Sequence, residues 1–373
     1  MKNEQLAFLQ LIKVGLWGEK HLKSLEEMCR REHLDWTEIM EIANQQASIG
    51  IVTDALTKLP LDLRPSKVVY FNAISQTGEI EKANKKMNDF APVLMGKLKE
   101  KGVESLLLKG QGVALCYPHP LHRQSGDIDL LIDDEEQFLR GCELMKRIST
   151  SSDINNRGSH AEFTAMGFVI ELHGQYGFSI CKKVTRNLRA WNDMRLKTHA
   201  PSGGQAENIR SVNGLVLPSV QFDAIFIFAH MLNHFMTGGV GLRQISDWMM
   251  FVHAHADEID VQLLESDLKM LGLTKFWQAF GAMAVVLLGF PQDEMPLYNK
   301  VWDAKAGKLM DSVFKTGNFG ALQKAEQLSN DTNKWIKKIH TAFGQLPVYW
   351  RVGKVFPREA VYCFFKYSRS QLG

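Results

Sequence analysis

Residues Leu106 to Asp133 read LLLKGQGVALCYPHPLHRQSGDIDLLID, and their pattern decides the fold. Leu106-Leu107-Leu108 is an apolar run bounded by a turn, the mark of a buried strand. It breaks at Lys109-Gly110-Gln111-Gly112. A short helical piece, Val113 to Tyr117, follows, then a turn punctuated by Pro118 and Pro120. The chain re-enters a strand at Asp127-Ile128-Asp129-Leu130-Leu131-Ile132. Residues two apart in a strand share a face, so Asp127 and Asp129 project together while Ile128 and Leu130 point into a core. Two adjacent carboxylates repel each other, a cost that a cation between them removes. A hard divalent ion with oxygen ligands, such as Mg2+, suits the pair.

Upstream, Leu6, Leu9, Ile12 and Leu16 recur at helical spacing, and Ile39, Ile42 and Ala43 form a second pattern with Asp35 or Thr37 as N-cap. Leu59-Pro60 to Pro65 is a break. Val68 to Lys101 reads as one or two helices, which Gly102 ends as a C-terminal glycine does. Val103 to Leu108 is then the first strand and Gly126 to Ile132 the second. Downstream, Asp133-Asp134 caps a helix to about Ile148, and a polar loop spans Ser149 to Ser159. His160 to Thr164 pairs with Phe168 to His173 through a turn near Met166-Gly167. Gln205 to Leu217 reads as a short strand pair after a Gly203-Gly204 loop. From Pro218 helical spacing returns, with breaks at Thr237–Gly241, Pro291, Asn318–Gly320 and Pro347. The expected division is 1–85 helical, 86–217 an α/β core, and 218–373 helical.

At 373 residues the chain is long enough for two or three packed units. Hydrophobic residues at 45% and charged residues at 23% are ordinary for a soluble globular protein. A net charge of +3 exerts no strong pull toward nucleic acid, which is not favoured as a partner. The five cysteines are scattered, with no C-x-x-C pair, which argues against a disulfide framework or zinc ribbon and for a reducing compartment. The N-terminus carries Glu4 and Lys13 among its apolar residues and lacks a signal-peptide core. The longest apolar run, Phe280 to Phe290, is about half the roughly 20 residues a spanning helix needs. No stable membrane insertion and a cytoplasmic location are therefore expected.

The glycine-containing turn after a strand, followed by Gly126-Asp127-Ile128-Asp129 among aliphatics, resembles the nucleotidyltransferase superfamily that includes polymerase-β-like enzymes. More closely, LLKG…YPHPLHRQSGDIDLLI resembles a large bacterial family of uncharacterised nucleotidyltransferases, which share an L-K-G turn, a Y-P dipeptide and an R-x-x-G-D-I-D-L-L core. The segment DWTEIMEIANQQASIGIVTDAL, from Asp35, is similar to that family's N-terminal helical part. The resemblance implies an α+β fold, with a small mixed β-sheet nucleotidyltransferase core flanked by N- and C-terminal helical regions. It implies transfer of NMP from an NTP to an acceptor (a small molecule, protein or RNA), with Mg2+ or Mn2+ and release of pyrophosphate.

Nucleotidyl transfer needs carboxylates on rigid strands to hold metal. Asp127 and Asp129 are the expected ligands, and the superfamily adds a third carboxylate from a neighbouring strand. Glu171, alone among the aliphatics of FVIEL, is the choice, and Glu171-Leu172-His173 matches the family's acidic residue followed two positions later by histidine. The bland alternative has Asp127 in a turn and Glu171 on a solvated face. For phosphate, Gly110 and Gly112 open the backbone at a helix start, Lys109 and Arg123 supply charge, and Ser125 a hydroxyl. The alternative for these is a plain tight turn and solvated cations.

In HMLNHFMTGGVGLRQISDW, His230 and His234 share a helix face, and Arg243 and Asp247 repeat that spacing. The family resemblance extends here, so contacts to substrate from His173, His230, His234 and Arg243 are weighed against a plain packed helix pair. Zinc is disfavoured because Arg243 is a poor neighbour for a cation. The tail from Lys334 interleaves Lys and Arg with aromatics such as Trp335, Trp350 and Phe365. An amphipathic helix docked on the body is preferred there over a membrane or nucleic-acid surface. The turn at Lys109–Gly112 has no serine where better-studied relatives carry Gly-Ser. Two rivals follow: a catalytically inactive nucleotide- or partner-binding member, and an RNA-modifying enzyme of tRNA ends.

Overall fold

A computed structural model describes residues 1–154, 160–174, 177–178, 180–196, 209–317 and 346–372. The Gly203-Gly204 loop, the expected break at Asn318–Gly320, and Lys334 and Trp335 of the tail lie outside them. The fold is α+β. Strands β1 (Leu106–Leu108), β2 (Ile128–Leu131), β3 (Ser151–Ile154), β4 (His160–Ala165) and β5 (Phe168–His173) form one mixed sheet in the order β1-β2-β5-β4-β3. The β2–β5 pair is parallel and the other pairs antiparallel. A separate hairpin joins β6 (Ile209–Val212) to β7 (Leu215–Pro218).

The chain divides into two compact units. One holds Met1–Thr77, Phe178–Leu188 and Ile225–Gly373, and the other Gly78–Gly177 and Arg189–Ala224. The second unit contains all seven strands of the described residues. Its core collects the sheet's apolar face, including Leu107, Ile128, Leu130, Ile170, Leu172 and Phe163, against Met87, Leu94 and Leu98 of the helix Lys67–Glu100 and Phe138 and Met145 of the helix Glu135–Ile148. Burying side chains of this size stabilises by about 1.5–3 kcal/mol each. Because strand residues alternate, the opposite face is left to Asp129, Glu171, His173 and His160.

Local chemistry sets the boundaries. The Asp134 carboxylate accepts from the Gln137 amide at 2.8 Å and starts the helix Glu135–Ile148, as expected. Val68 to Lys101 resolves into one helix, Lys67–Glu100, with Pro92 inside it. It closes with Gly102 at φ +72° and the Val103 amide donating to Leu98 at 3.0 Å, so β1 starts at Leu106 rather than Val103. Both hairpin turns use paired positive φ, at Met166-Gly167 (53° and 80°) and Asn213-Gly214 (51° and 78°). The polar stretch expected as a loop from Ser149 contains β3, a mostly exposed edge strand with no apolar alternation to reveal it.

The first unit is helical. Asp35, not Thr37, caps the helix Trp36–Gln45 by accepting from the Thr37 and Glu38 amides. A cluster of buried rings fills the centre: Trp248 and Trp277 meet edge to face at 4.9 Å, and Phe228 lies about equally close to both. Gly15 is required by packing, since a Cβ there would lie 2.2 Å from the Ile51 carbonyl oxygen. The tail forms the helices Leu346–Gly353 and Pro357–Leu372, so Pro347 stands at a helix start. Phe356 packs on Phe276 at 4.5 Å, which is the expected docking on the body, while Trp350 and Phe365 stay exposed. Among the described residues, no helix is long and apolar enough to cross a membrane.

Candidate active site

The sheet's polar face brings three carboxylates together. Asp129 of β2 stands opposite Glu171 of β5 in the parallel ladder, and Asp127 precedes β2 by one residue. Each offers an oxygen, and these oxygens all lie within 4.8 Å of one another. Rigid neighbouring strands fix the set, since Ile128 and Leu130, and Ile170 and Leu172, anchor the reverse face in the core.

Cations of the protein itself balance this charge. The Lys109 Nζ lies 3.0 Å from Asp129 Oδ2, and the His173 Nε2 lies 3.1 Å from Asp129 Oδ1 and 3.2 Å from Glu171 Oε2. Burial works against charge on Lys109, but Asp129 and Asp127 outweigh it and hold the ammonium's pKa above its usual value. His173 behaves alike, with burial opposed and exceeded by its bonds to Asp129 and Glu171. The His173 bond holds the Glu171 carboxyl below its ordinary range despite burial, so it stays ionised.

The turn before the site is strained. Lys109 sits at φ +50°, and Gly110 follows at φ +51°. A side chain in that region costs roughly 1–2 kcal/mol, so Gly110 answers a backbone need. Gly112 answers a packing need, because a Cβ there would come within 2.7 Å of Leu217 Cδ2 on β7. The helical piece expected over Val113–Tyr117 is the single turn Gly110–Ala114, too short for a sizeable dipole.

Arg123 is buried rather than solvated, and its Nη1 donates to Ser125 Oγ at 3.2 Å. Gln111 Nε2 donates to the same hydroxyl at 3.2 Å and to Asn84 Oδ1 at 3.3 Å. Asn84 Nδ2 in turn donates to the carbonyls of Leu121 and Arg123, at 2.7 and 2.8 Å. Asn84, Gln111 and His160 were not singled out by sequence. Asn84 is a buried amide within a helical stretch rich in Lys and Glu, and His160 becomes visible once the hairpin register places it opposite His173.

The structure thus brings Lys109, Asp127, Asp129, Glu171 and His173 into one cluster, and Arg123 and Ser125 into a second network. His230, His234 and Arg243 belong to the helical unit. There the two imidazole Nε2 atoms lie 3.0 Å apart and Phe226 stacks near His230. Among the described residues, neither grouping of three metal-type ligands includes His230 or His234.

The carboxylate set fits a divalent ion. Its donors are all hard oxygens, and six-coordinate Mg2+ at 2.0–2.1 Å holds ligand oxygens up to about 4.2 Å apart. The three oxygens, within 4.8 Å of one another, lie close to that limit.

The model of a family described as uncharacterised nucleotidyltransferases matches residues 32–289, more than half of the chain, and the chain belongs to that family. It is thereby a nucleotidyltransferase, an enzyme that transfers a nucleotidyl group from a nucleotide donor to an acceptor. No curated protein and no solved structure matches the chain.

Proposed function

We propose that this nucleotidyltransferase transfers NMP from an NTP to an acceptor, and that Asp127, Asp129 and Glu171 hold Mg2+ or Mn2+ for the reaction. The observation that carries the reading is the convergence of three carboxylate oxygens within 4.8 Å beside a strained lysine turn. A divalent ion held there would supply positive charge for the triphosphate and lower the pKa of the attacking hydroxyl. Residues 86–217 form the catalytic core in this reading.

Lys109 has two tasks. It pairs with Asp129 at 3.0 Å, and its ammonium would supply a point charge for the triphosphate beside the carboxylates. Gly110 and Gly112 keep the backbone low beside it. Arg123 is held by Ser125 and by the Asn84 bond to its carbonyl, and it offers its guanidinium to phosphate oxygens. An acceptor hydroxyl gives up its proton to solvent and forms a bond to the α-phosphorus, the bond to the β-phosphate breaks, and pyrophosphate leaves. In the protein alone His173 bridges Asp129 and Glu171.

The test is pyrophosphate release with each NTP, with and without Mg2+, set beside calorimetric NTP titration. Turnover that requires Mg2+ supports the reading, whereas NTP binding without any turnover favours a catalytically inactive binding member.

A further inference from the structure

His160 opens β4 directly opposite His173 of β5, and Glu171 lies two residues before His173 on the same face. The His173 Nε2 is 3.2 Å and the His160 Nε2 3.4 Å from one oxygen, Glu171 Oε2, and the three ligand atoms all lie within 4.8 Å. Zinc takes nitrogen at about 2.0–2.1 Å and carboxylate oxygen at about 2.0–2.2 Å in a tetrahedron, whose edges are then roughly 3.3–3.5 Å. Two of the three edges therefore already have ligand spacing. The third closes with a rotation of His160, whose side chain is 38% exposed.

The donor chemistry differs from that of the neighbouring carboxylates. Imidazole suits Zn2+ and adjacent transition ions, whereas Mg2+ prefers oxygen alone. Two histidines and one carboxylate are a ligand set of catalytic zinc that leaves a fourth position open. Of the three ligands His160 is the most accessible, whereas His173 is buried beside Asp129.

We propose that His160, His173 and Glu171 form a second cation site, for a transition ion of the Zn2+ type, sharing Glu171 with the Asp127–Asp129–Glu171 cluster. The open position suits an oxygen donor, a hydroxyl or phosphate group of the acceptor. The inference rests on the proposed function for the double role of Glu171, and the two fail separately in the experiment below.

The full chain, stripped with EDTA, is titrated with Co2+ as a coloured stand-in for Zn2+. One equivalent binds with the visible absorption of four-coordinate cobalt, and Zn2+ displaces it. His160→Ala and the milder His160→Gln each weaken binding more than roughly 100-fold, beyond the 10–100-fold that loss of an outer partner costs. Asp127→Asn keeps the cobalt signal and loses Mg2+-dependent pyrophosphate release. A bound Co2+ in a wild-type chain that releases no pyrophosphate supports this site and counts against the proposed function. No Co2+ absorption in the wild type, unchanged affinity in both His160 variants, or loss of the signal in Asp127→Asn overturns the proposal.

Discussion

Asp129 faces Glu171 across the parallel β2–β5 ladder, and its carboxylate is almost fully buried between Lys109 and His173. Removing it takes the nearest carboxylate from partly buried Lys109 and one of two from buried His173, and breaking a buried pair costs at most about 3–5 kcal/mol. Asp127 is only half-buried, outside the ladder. Urea unfolding should therefore show Asp129→Ala strongly destabilised and Asp127→Ala within about 1 kcal/mol of the wild type. Equal losses would mean that the two carboxylates share one environment.

Gly110 and Gly112 sit two residues apart for different reasons, and substitution separates them. Gly110→Ala meets a positive φ and should cost roughly 1–2 kcal/mol whatever surrounds it. Gly112→Ala presses on Leu217 and should cost about 1–3 kcal/mol. Leu217→Ala, combined with each, should reduce the second loss and leave the first unchanged. A double-mutant cycle measures both couplings. No coupling between positions 112 and 217 would contradict the packing explanation.

The pairing of His173 has a pH signature. Burial lowers its proton affinity, but Asp129 and Glu171 raise it further, to a net value above 6.5 in the folded chain. Folding thus takes up a proton. The stabilisation is complete below the ordinary value near 6.5 and is lost as pH rises through the higher folded value. In EDTA, the stability gap between wild type and His173→Gln should be widest below the ordinary histidine value and shrink as pH rises through the raised folded value. A gap that widens with pH would show a neutral imidazole.

Asn84 is a positioning residue. Its side-chain amide holds the carbonyls of Leu121 and Arg123 and meets Gln111, without belonging to the carboxylate cluster. Asn84→Ala leaves those buried groups without their partner, at about 1–3 kcal/mol. In the proposed function it also raises the KM for NTP more than it lowers kcat, because Arg123 is released. Unchanged KM would remove Arg123 from phosphate binding.

The carboxylate face was legible because Asp127-Ile128-Asp129-Leu130 alternates with the period of a strand, and Glu171 does so in FVIEL. Family likeness then pointed to the same residues. The helix Lys182–Leu196 was overlooked although Val184, Leu188 and Trp191 are buried at helical spacing, because its many charges masked the stripe. β3 offered no alternation at all. The partners that decide Gly112 and His160 lie elsewhere in the chain, at Leu217 and at His173 and Glu171. Register and packing of that kind emerge only when strands pair.

The most direct measurement is pyrophosphate release by the full chain with each NTP and Mg2+, comparing the wild type with Asp127→Asn and Asp129→Asn. Turnover should require the metal and fall at least about 100-fold in either variant, since charge stabilisation by a bound ion contributes several kcal/mol to the barrier. Turnover that survives both substitutions, or that proceeds undiminished in EDTA, would contradict the assignment of these carboxylates to catalysis.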